Sequence, residues 1–245
     1  MIKRIAPDVE VIDITHGIPP QHVLQGALVL ANTVPYMPVG VHVAIVDPGV
    51  GSDRKSVALR GADERVYIGP DNGLLLVAAE RLGGVVEAVE IAERAYMLEP
   101  VSHTFHGRDV FSPAAAHIAS GVELEKLGPR MDPAGLERLE LPEPRIGERR
   151  IRATILYVDR FGNVQLNLTA EQLASVGIEP GTRIEVEVGF ERYFASAART
   201  FADARTGDIV VYEDAYRNIA LAINRGNAAQ MFSVGVGEEL RLSVA

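Results

Sequence analysis

The stretch from Val41 to Arg54 reads VHVAIVDPGVGSDR, and it decides how the first half of the chain is expected to fold. Its apolar beginning is typical of a buried strand, and the glycines after Asp47 allow a sharp turn and close approach of the backbone to other groups. We therefore predict that Asp47 is presented at the end of a strand, the place where a catalytic carboxylate is commonly found.

The segments around this stretch alternate between short apolar strands and helical repeats. Strands are predicted for VEVIDI (9–14), VALR (57–60) and VYIGP (66–70), and helices for residues 21–33, 74–83 and 112–120. Alternation of this kind favours an α/β domain with a mainly parallel, Rossmann-like sheet, which we place at residues 1–135.

The composition changes after this domain. Residues 136–149 are rich in proline and charge and are predicted to be a linker. From residue 150 to residue 245 short strands follow closely, among them IRATILYV, RIEVEVG, DIVVYED and ELRLSV. This pattern predicts an all-β second domain, an antiparallel barrel or sandwich.

Charge and composition exclude several classes of partner. The formal net charge is −9 and no run is rich in lysine or arginine, which argues against binding to nucleic acid or to an anionic membrane. There is no cysteine, so neither disulfides nor thiolate metal sites can form, and no apolar run approaches 18 residues. The expected location is the cytoplasm.

Three polar residues of the first domain form a candidate catalytic set. Asp47, Arg54 and His106 are the types needed to hold a water molecule and to move its proton. Taken singly, each is equally consistent with a turn cap, a surface charge or a residue before a helix. The segment DPGVGS resembles a phosphate-binding loop, but it lacks the Lys-Ser/Thr pair that contacts phosphate and metal.

A metal site is the alternative use of the histidines. His103, His106 and Asp109 could supply three ligands, but neither an H-E-x-x-H spacing nor a second histidine pair is present. We therefore predict no metal site.

Two turns carry a second candidate set. Asp159 and Asn163 flank a Phe-Gly turn in DRFGNVQLN, and Asn72 precedes Gly73 in PDNGLL. Each is explained by turn chemistry alone, or by Asp159 binding an ammonium group and Asn163 an amide-like or heterocyclic edge.

Taken together, six segments resemble the S-adenosylmethionine hydroxide adenosyltransferase family, whose relatives include fluorinase and chlorinase. They are DITHGIPPQ, VDPGVGSDR, IGPDNGLL, HTFHGRDVFSPAAAHIASG, YVDRFGNVQLN and NRGNAA. Their order, their spacing and the change from α/β to all-β agree with that family along the whole chain.

The resemblance implies hydrolysis of S-adenosylmethionine to adenosine and L-methionine, by attack of water on ribose C5′. The family's water-activating residues fall on Asp47, Arg54 and His106, and His106 stands where fluorinase has a serine, which favours water over halide. No cofactor or metal is implied. A carboxylate and an imidazole that accept the proton, with a guanidinium that stabilises hydroxide, would supply what water lacks as a nucleophile.

The resemblance also implies how substrate is bound. Asp159 would bind the methionine ammonium and Asn163 the adenine edge, while backbone groups around Asn224, Ala228 and Ala229 would meet the adenine. It further implies a homotrimer in which each site lies between the first domain of one subunit and the barrel of the next.

The remaining expected substrate contacts lie in the first domain and in the barrel turn. Asn72 is expected to belong to the substrate shell, and Val50, Phe105 and Phe161 are expected to keep the pocket dry.

One departure from the family keeps other hypotheses open. Members are expected to begin with a further strand and a Thr/Ser-Asp-Phe-Gly turn whose aspartate holds the ribose, whereas this sequence opens at MIKRIAPD, within the helix that follows. Loss of that strand would leave a sheet edge unpaired. The alternatives are therefore a non-catalytic protein that binds S-adenosylmethionine or adenosine, and a halide-using relative.

Overall fold

The computed structural model describes all 245 residues, and they divide into two compact units, Met1–Glu140 and Leu141–Ala245. Each unit has its own buried apolar core. No helix of the chain is both long enough and apolar enough to cross a membrane.

The first unit is built on a mixed sheet of five strands in the order β1-β3-β2-β4-β5. The strands are β1 Val41–Val43, β2 Ser56–Gly61, β3 Val66–Pro70, β4 Val85–Glu90 and β5 Arg130–Met131. The expected mainly parallel, Rossmann-like sheet is not found, because only β1 and β3 run parallel. The connection between β2 and β3 is too short for the crossover that a parallel pair requires, so these strands form a hairpin.

Helices cover both faces of this sheet. They are α1 Ile2–Ile5, α2 Val23–Thr33, α3 Leu74–Arg81 and α4 Ser112–Ala119, the last preceded by a π-helical turn at Gly107–Phe111. Val57 and Leu59 of β2 pack against α2 and α3, while Ala58 between them faces the cluster that contains α4. The alternation along β2 thus explains why both faces are apolar.

The strand predicted at residues 9–14 is absent. The segment has no regular structure, and Val11, Ile12 and Ile14 are 46%, 51% and 36% exposed. The segment pairs with no strand of either sheet, so the backbone hydrogen bonds that would turn its alternating pattern into a strand are not formed.

The second unit confirms the predicted all-β domain, and of the two expected forms, barrel or sandwich, it is the barrel. Its strands are β6 Arg145–Ile146, β7 Arg150–Val158, β8 Val164–Leu166, β9 Arg183–Val188, β10 Glu191–Ala197, β11 Ile209–Glu213, β12 Ile219–Ile223 and β13 Glu239–Val244. Pairing of β13 with β7 closes the barrel, and β6 adds an outer edge. One pair, β10 with β11, is parallel rather than antiparallel, because a long connection carries the chain back before β11 begins.

Two short helices complete this unit, α5 Ala170–Ala174 and α6 Ala228–Phe232. The predicted helix at TAEQLAS forms as α5, and a capping box explains where it starts: the Thr169 side chain accepts from the backbone of Gln172, whose side chain accepts from Thr169 in return.

Candidate active site

Asp47 lies in the loop four residues after β1 ends, rather than at the end of a strand as predicted, and it forms a two-point ion pair with Arg54. Arg54 Nη2 lies 2.6 Å from Asp47 Oδ2, and Arg54 Nε lies 3.1 Å from Oδ1. The side chains are only 8% exposed for Arg54 and 7% for Asp47. A paired carboxylate and guanidinium that are both largely removed from water hold each other in a defined orientation.

The guanidinium of Arg54 is fixed on its other sides as well. Nη1 donates to Ser56 Oγ at 2.9 Å and to the carbonyl of Lys55 at 3.0 Å, and the ring of Phe111 lies 5.5 Å from the guanidinium carbon. Neither Ser56 nor Phe111 was among the predicted site residues. Ser56 could have been suspected from its position two residues after Arg54, whereas the approach of Phe111 has no local signal.

His106 joins this pair from a distant part of the chain. Its Nδ1 lies 3.1 Å from Arg54 Nη2. Because a guanidinium can only donate, Nδ1 must be the acceptor, and the proton of the neutral ring is therefore on Nε2. Burial, and then the positive charge of Arg54, lower the pKa of His106 below its usual value of 6.5.

Two loops make this meeting possible. Gly51 has φ +82°, and a Cβ placed there would come within 2.8 Å of the carbonyl oxygen of His103. A residue with a side chain could not bring the loop after Asp47 so close to the segment before His106.

The segment before His106 is held in turn by Asp109. This carboxylate is completely buried, accepts from the backbone of Ser102 at 2.9 Å and pairs with Arg108. The Arg108 side-chain hydrogen bond lowers the pKa of Asp109 despite its burial. Asp109 is thus committed to the loop, and no three acidic or histidine side chains of the chain come together as a metal cluster.

Asn72 lies next to this group and supports it. Its Nδ2 donates to the carbonyl of Val46 at 2.8 Å, and its Oδ1 accepts from the backbone of Leu74 at 3.2 Å. Both ends of the amide are therefore used to tie the residue before Asp47 to the start of α3.

Phe105, the expected wall of a dry pocket, is 55% exposed. The guanidinium of Arg108 stacks 4.9 Å from its ring. The apolar surface is present beside His106, but it is not covered within this unit.

The second predicted set forms around the turn after β7. Asp159 Oδ1 accepts from the backbone of Phe161 at 2.8 Å and of Asn163 at 2.9 Å, and its Oδ2 accepts from Asn163 Nδ2 at 2.8 Å. Phe161 is 62% exposed. The turn chemistry expected from the sequence is therefore present, and it holds Asp159 and Asn163 side by side.

The late NRGNAA segment packs on the same turn. Gly162 has φ +81°, and a Cβ there would come within 2.1 Å of the Asn227 side chain. The backbone N–H of Ala229 donates to the carbonyl of Gly162 at 3.0 Å, and Ala228 is fully buried beneath it. Asn224, the first residue of this segment, stabilises a different loop, since its Nδ2 donates to the carbonyls of Phe201 and Ala204.

Two tyrosines near this turn were not predicted from the sequence. Burial, with the nearby carboxylate of Asp159, raises the pKa of Tyr157 and raises that of Tyr212 to about 12. Both hydroxyls therefore remain protonated near neutral pH and can donate. Tyr157 lies on β7 and Tyr212 on β11, so their proximity to Asp159 depends on how the barrel strands pair.

Comparison with known proteins gives consistent matches over both units. The family model of the SAM hydroxide adenosyltransferase N-terminal domain matches residues 1–128, and that of the C-terminal domain matches residues 153–241. The chain is 44% identical over 243 residues to an (R)-S-adenosyl-L-methionine hydrolase of Salinispora tropica, covering 99% of this chain and 90% of that protein.

More distant matches agree. A fluorinase of Nocardia brasiliensis is 28% identical over 271 residues, covering 100% of this chain and 90% of the fluorinase. The crystal structure of an uncharacterized conserved protein from Thermotoga maritima superposes with a TM-score of 0.91 at 35% identity, covering 99% of this chain and 92% of that one.

Proposed function

Because the chain belongs to the SAM hydroxide adenosyltransferase family, we propose that it hydrolyses (R)-S-adenosyl-L-methionine to adenosine and L-methionine, with Asp47, Arg54 and His106 activating the water. The observation that carries this proposal is the largely buried contact of Asp47 and His106 with one guanidinium. The contact between Arg54 and His106 joins residues 52 positions apart in the sequence, and all three side chains are buried or partly buried.

The reaction is a displacement at ribose C5′. The water oxygen forms a bond to C5′ while the bond from C5′ to sulfur breaks, and the electron pair of that bond neutralises the sulfonium. Asp47 takes the proton of the water, since each of its carboxylate oxygens keeps a lone pair beyond the one facing Arg54. Arg54 stabilises the hydroxide as it develops through its positive charge rather than as a direct donor, because its five N–H groups are engaged by Asp47, His106, Ser56 and the carbonyl of Lys55.

The contact at Nδ1 changes the role that we assign to His106. The sequence suggested that the imidazole accepts a proton, but Nδ1 already accepts from Arg54. The ring therefore offers only an N–H, at Nε2, to the water oxygen. In this arrangement His106 orients the nucleophile and Asp47 is the base.

The pH dependence tests this assignment. The pKa of His106 lies below 6.5, so its neutral form and its contact with Arg54 persist at and above that pH and are lost as the pH falls through the lowered pKa. We expect kcat/KM to fall on the acid side through one ionisation below 6.5. His106→Asn should lack this limb and His103→Asn should keep it, while an unchanged limb in His106→Asn would assign the ionisation to another group.

The barrel turn is proposed to bind the amino-acid part of the substrate, with Asn163 at the adenine edge. Asp159→Asn should weaken binding of S-adenosylmethionine by about tenfold or more, because a hydrogen bond to a charged group is lost, and should leave adenosine binding nearly unchanged. Calorimetry with both ligands measures the difference, and Asp208→Asn, which alters another turn of the barrel, is the control. Equal losses for the two ligands would mean that Asp159 only holds its turn.

We also propose a homotrimer with active sites shared between neighbouring subunits. The rings of Phe105 and Phe161 are exposed in the single chain, and this supports the trimer. A site in which the sulfonium loses its charge needs water excluded, so a neighbouring subunit would have to cover these rings. Light scattering coupled to size exclusion gives the mass directly. A monomeric mass in an active preparation would contradict the shared site.

The function itself is tested by product analysis in isotopically labelled water. Incubation with S-adenosylmethionine in H₂¹⁸O should yield adenosine with ¹⁸O at the 5′ position, together with methionine, at the same rate with and without chloride. A 5′-halogenated nucleoside would indicate the halide reaction. Binding without any product would indicate a non-catalytic binding protein.

A further inference from the structure

An unassigned group of arginines lies on the outer face of the barrel. Arg152 of β7 is paired on one side with Arg145 of β6 and on the other with Arg241 of β13. Three guanidinium groups therefore project from directly opposed positions of three adjacent strands. Like charges placed directly opposite one another destabilise a sheet.

The acidic neighbours only partly compensate this charge. Arg152 lies 3.4 Å from Glu239, and Arg241 lies 3.3 Å from Glu187, both longer than a good charge-assisted hydrogen bond. Glu187 is shared with a further arginine of β10. Arg145 has no acidic partner at all, so the row keeps an excess of positive charge.

These side chains surround a cavity rather than a flat surface. The cavity has a volume of about 300 Å³, and four of its lining residues are Arg145, Arg150, Arg152 and Arg241. Arg150, like Arg145, makes no ion pair within the chain. The volume is at the lower end of the range found for small-molecule sites.

We propose that this arginine cavity binds a small oligophosphate anion, such as diphosphate or triphosphate. A guanidinium presents a planar pair of donors that matches phosphate oxygens, and four arginines line this cavity. Neighbouring strands lie about 4.8 Å apart, so the row from Arg145 through Arg152 to Arg241 spans about 10 Å, which is wider than one phosphate group and fits a chain of two or three.

The surroundings favour a small ligand over nucleic acid. Glu187 and Glu239 border the row, and the whole chain carries a formal net charge of −9. A polymer of phosphates needs a basic surface that continues along its length, whereas here the carboxylates of Glu187 and Glu239 interrupt the arginines.

Calorimetric titration of the full-length protein with inorganic diphosphate and tripolyphosphate tests the proposal. We expect saturable binding that is tighter than that of orthophosphate and that weakens as salt is added. The double variant Arg145→Gln with Arg241→Gln should lose about tenfold or more in affinity. Arg205→Gln, which removes one exposed charge from the segment between β10 and β11, should bind as the wild type does.

Hydrolysis of S-adenosylmethionine and thermal unfolding are measured on the same samples, so that failure of this site can be distinguished from failure of the proposed reaction. Should the double variant not fold, Arg145→Gln alone is used, since Arg145 lies on the outer edge strand. Equal affinity in the arginine variants and the control would overturn the proposal. Tighter binding of a single-stranded oligonucleotide than of tripolyphosphate would overturn the choice of ligand.

Discussion

Replacing Arg54 with alanine should lower kcat by about 10²-fold or more, with little change in KM. The reason is that the guanidinium stabilises hydroxide as the new bond forms and is not required for holding the adenosine or methionine parts of the substrate. Steady-state kinetics on the folded variant, with adenosine formation as the readout, measures the loss. Turnover at the wild-type rate would remove Arg54 from the mechanism.

The same substitution should also be costly to the fold. It leaves the carboxylate of Asp47, only 7% exposed, without its partner, and breaking such a pair typically costs about 3–5 kcal/mol. The matched control is Arg60→Ala on the neighbouring strand β2. Arg60 is 31% exposed and pairs with Glu87 at 3.3 Å, so its loss should cost about 1 kcal/mol or less and leave kcat unchanged.

Asp47→Asn should reduce kcat by about 10²- to 10⁴-fold, the range attributed to a positioned base. The amide has nearly the same shape as the carboxylate, but it cannot accept the proton of the attacking water. Single-turnover measurement of adenosine formation separates this chemical defect from weaker substrate binding. If the variant hydrolyses substrate at close to the wild-type rate, the base must be another group.

A double variant separates the chemical role of this pair from its structural role. With Asp47→Leu and Arg54→Leu together, no unpaired charge stays buried, so the protein should unfold at a higher temperature than Arg54→Ala. It should nevertheless be inactive. Recovery of activity along with stability would show that the pair matters only for folding.

Several parts of the fold were predictable from local sequence because local energies decide them. The helix predicted at residues 21–33 forms as α2, Val23–Thr33, two residues later than expected because Gln21 has φ +67°, and the apolar residues at helical spacing account for it. Gly83 follows α3 with φ +105°, as its position after the last apolar residue indicated. Strands β7 and β9 of the second unit alternate clearly enough between buried and more exposed positions to be recognised without a partner.

Other elements depended on pairing that no local pattern reveals. Strand β10, ERYFASA, has only alanines at its buried positions Ala195 and Ala197, so its apolar signal is weak. The segment VEVIDI has the stronger pattern and forms no strand. Strand β10 pairs with β9 and β11 whereas VEVIDI pairs with no strand, so pairing and not the local pattern decides which segment becomes a strand. The expected parallel sheet is mixed because the short connection between β2 and β3 makes a hairpin.

The candidate site also has some features that the sequence predicted and others that only the tertiary structure decided. The identities of Asp47, Arg54 and His106, and the turn that Asp159 caps, could be read from the sequence, because residue type and turn chemistry are local properties. The sequence could not show that Arg54 donates to His106 Nδ1, or that the amide of Asn72 is taken up by the backbone. Those facts depend on which atoms become neighbours when loops far apart in the chain pack together.

The row of Arg145, Arg152 and Arg241 makes the same distinction. The sequence alone places Arg152 and Arg241 in segments with strand patterns and Arg145 in the predicted linker, where the structure has strand β6, and it gives no reason to associate the three. Closure of the barrel by β13 on β7 sets the register that places them opposite one another. Patterns of apolarity and turns therefore establish the elements and the chemical types, whereas long-range pairing, which satisfies backbone hydrogen bonds between distant segments, decides which charged groups meet.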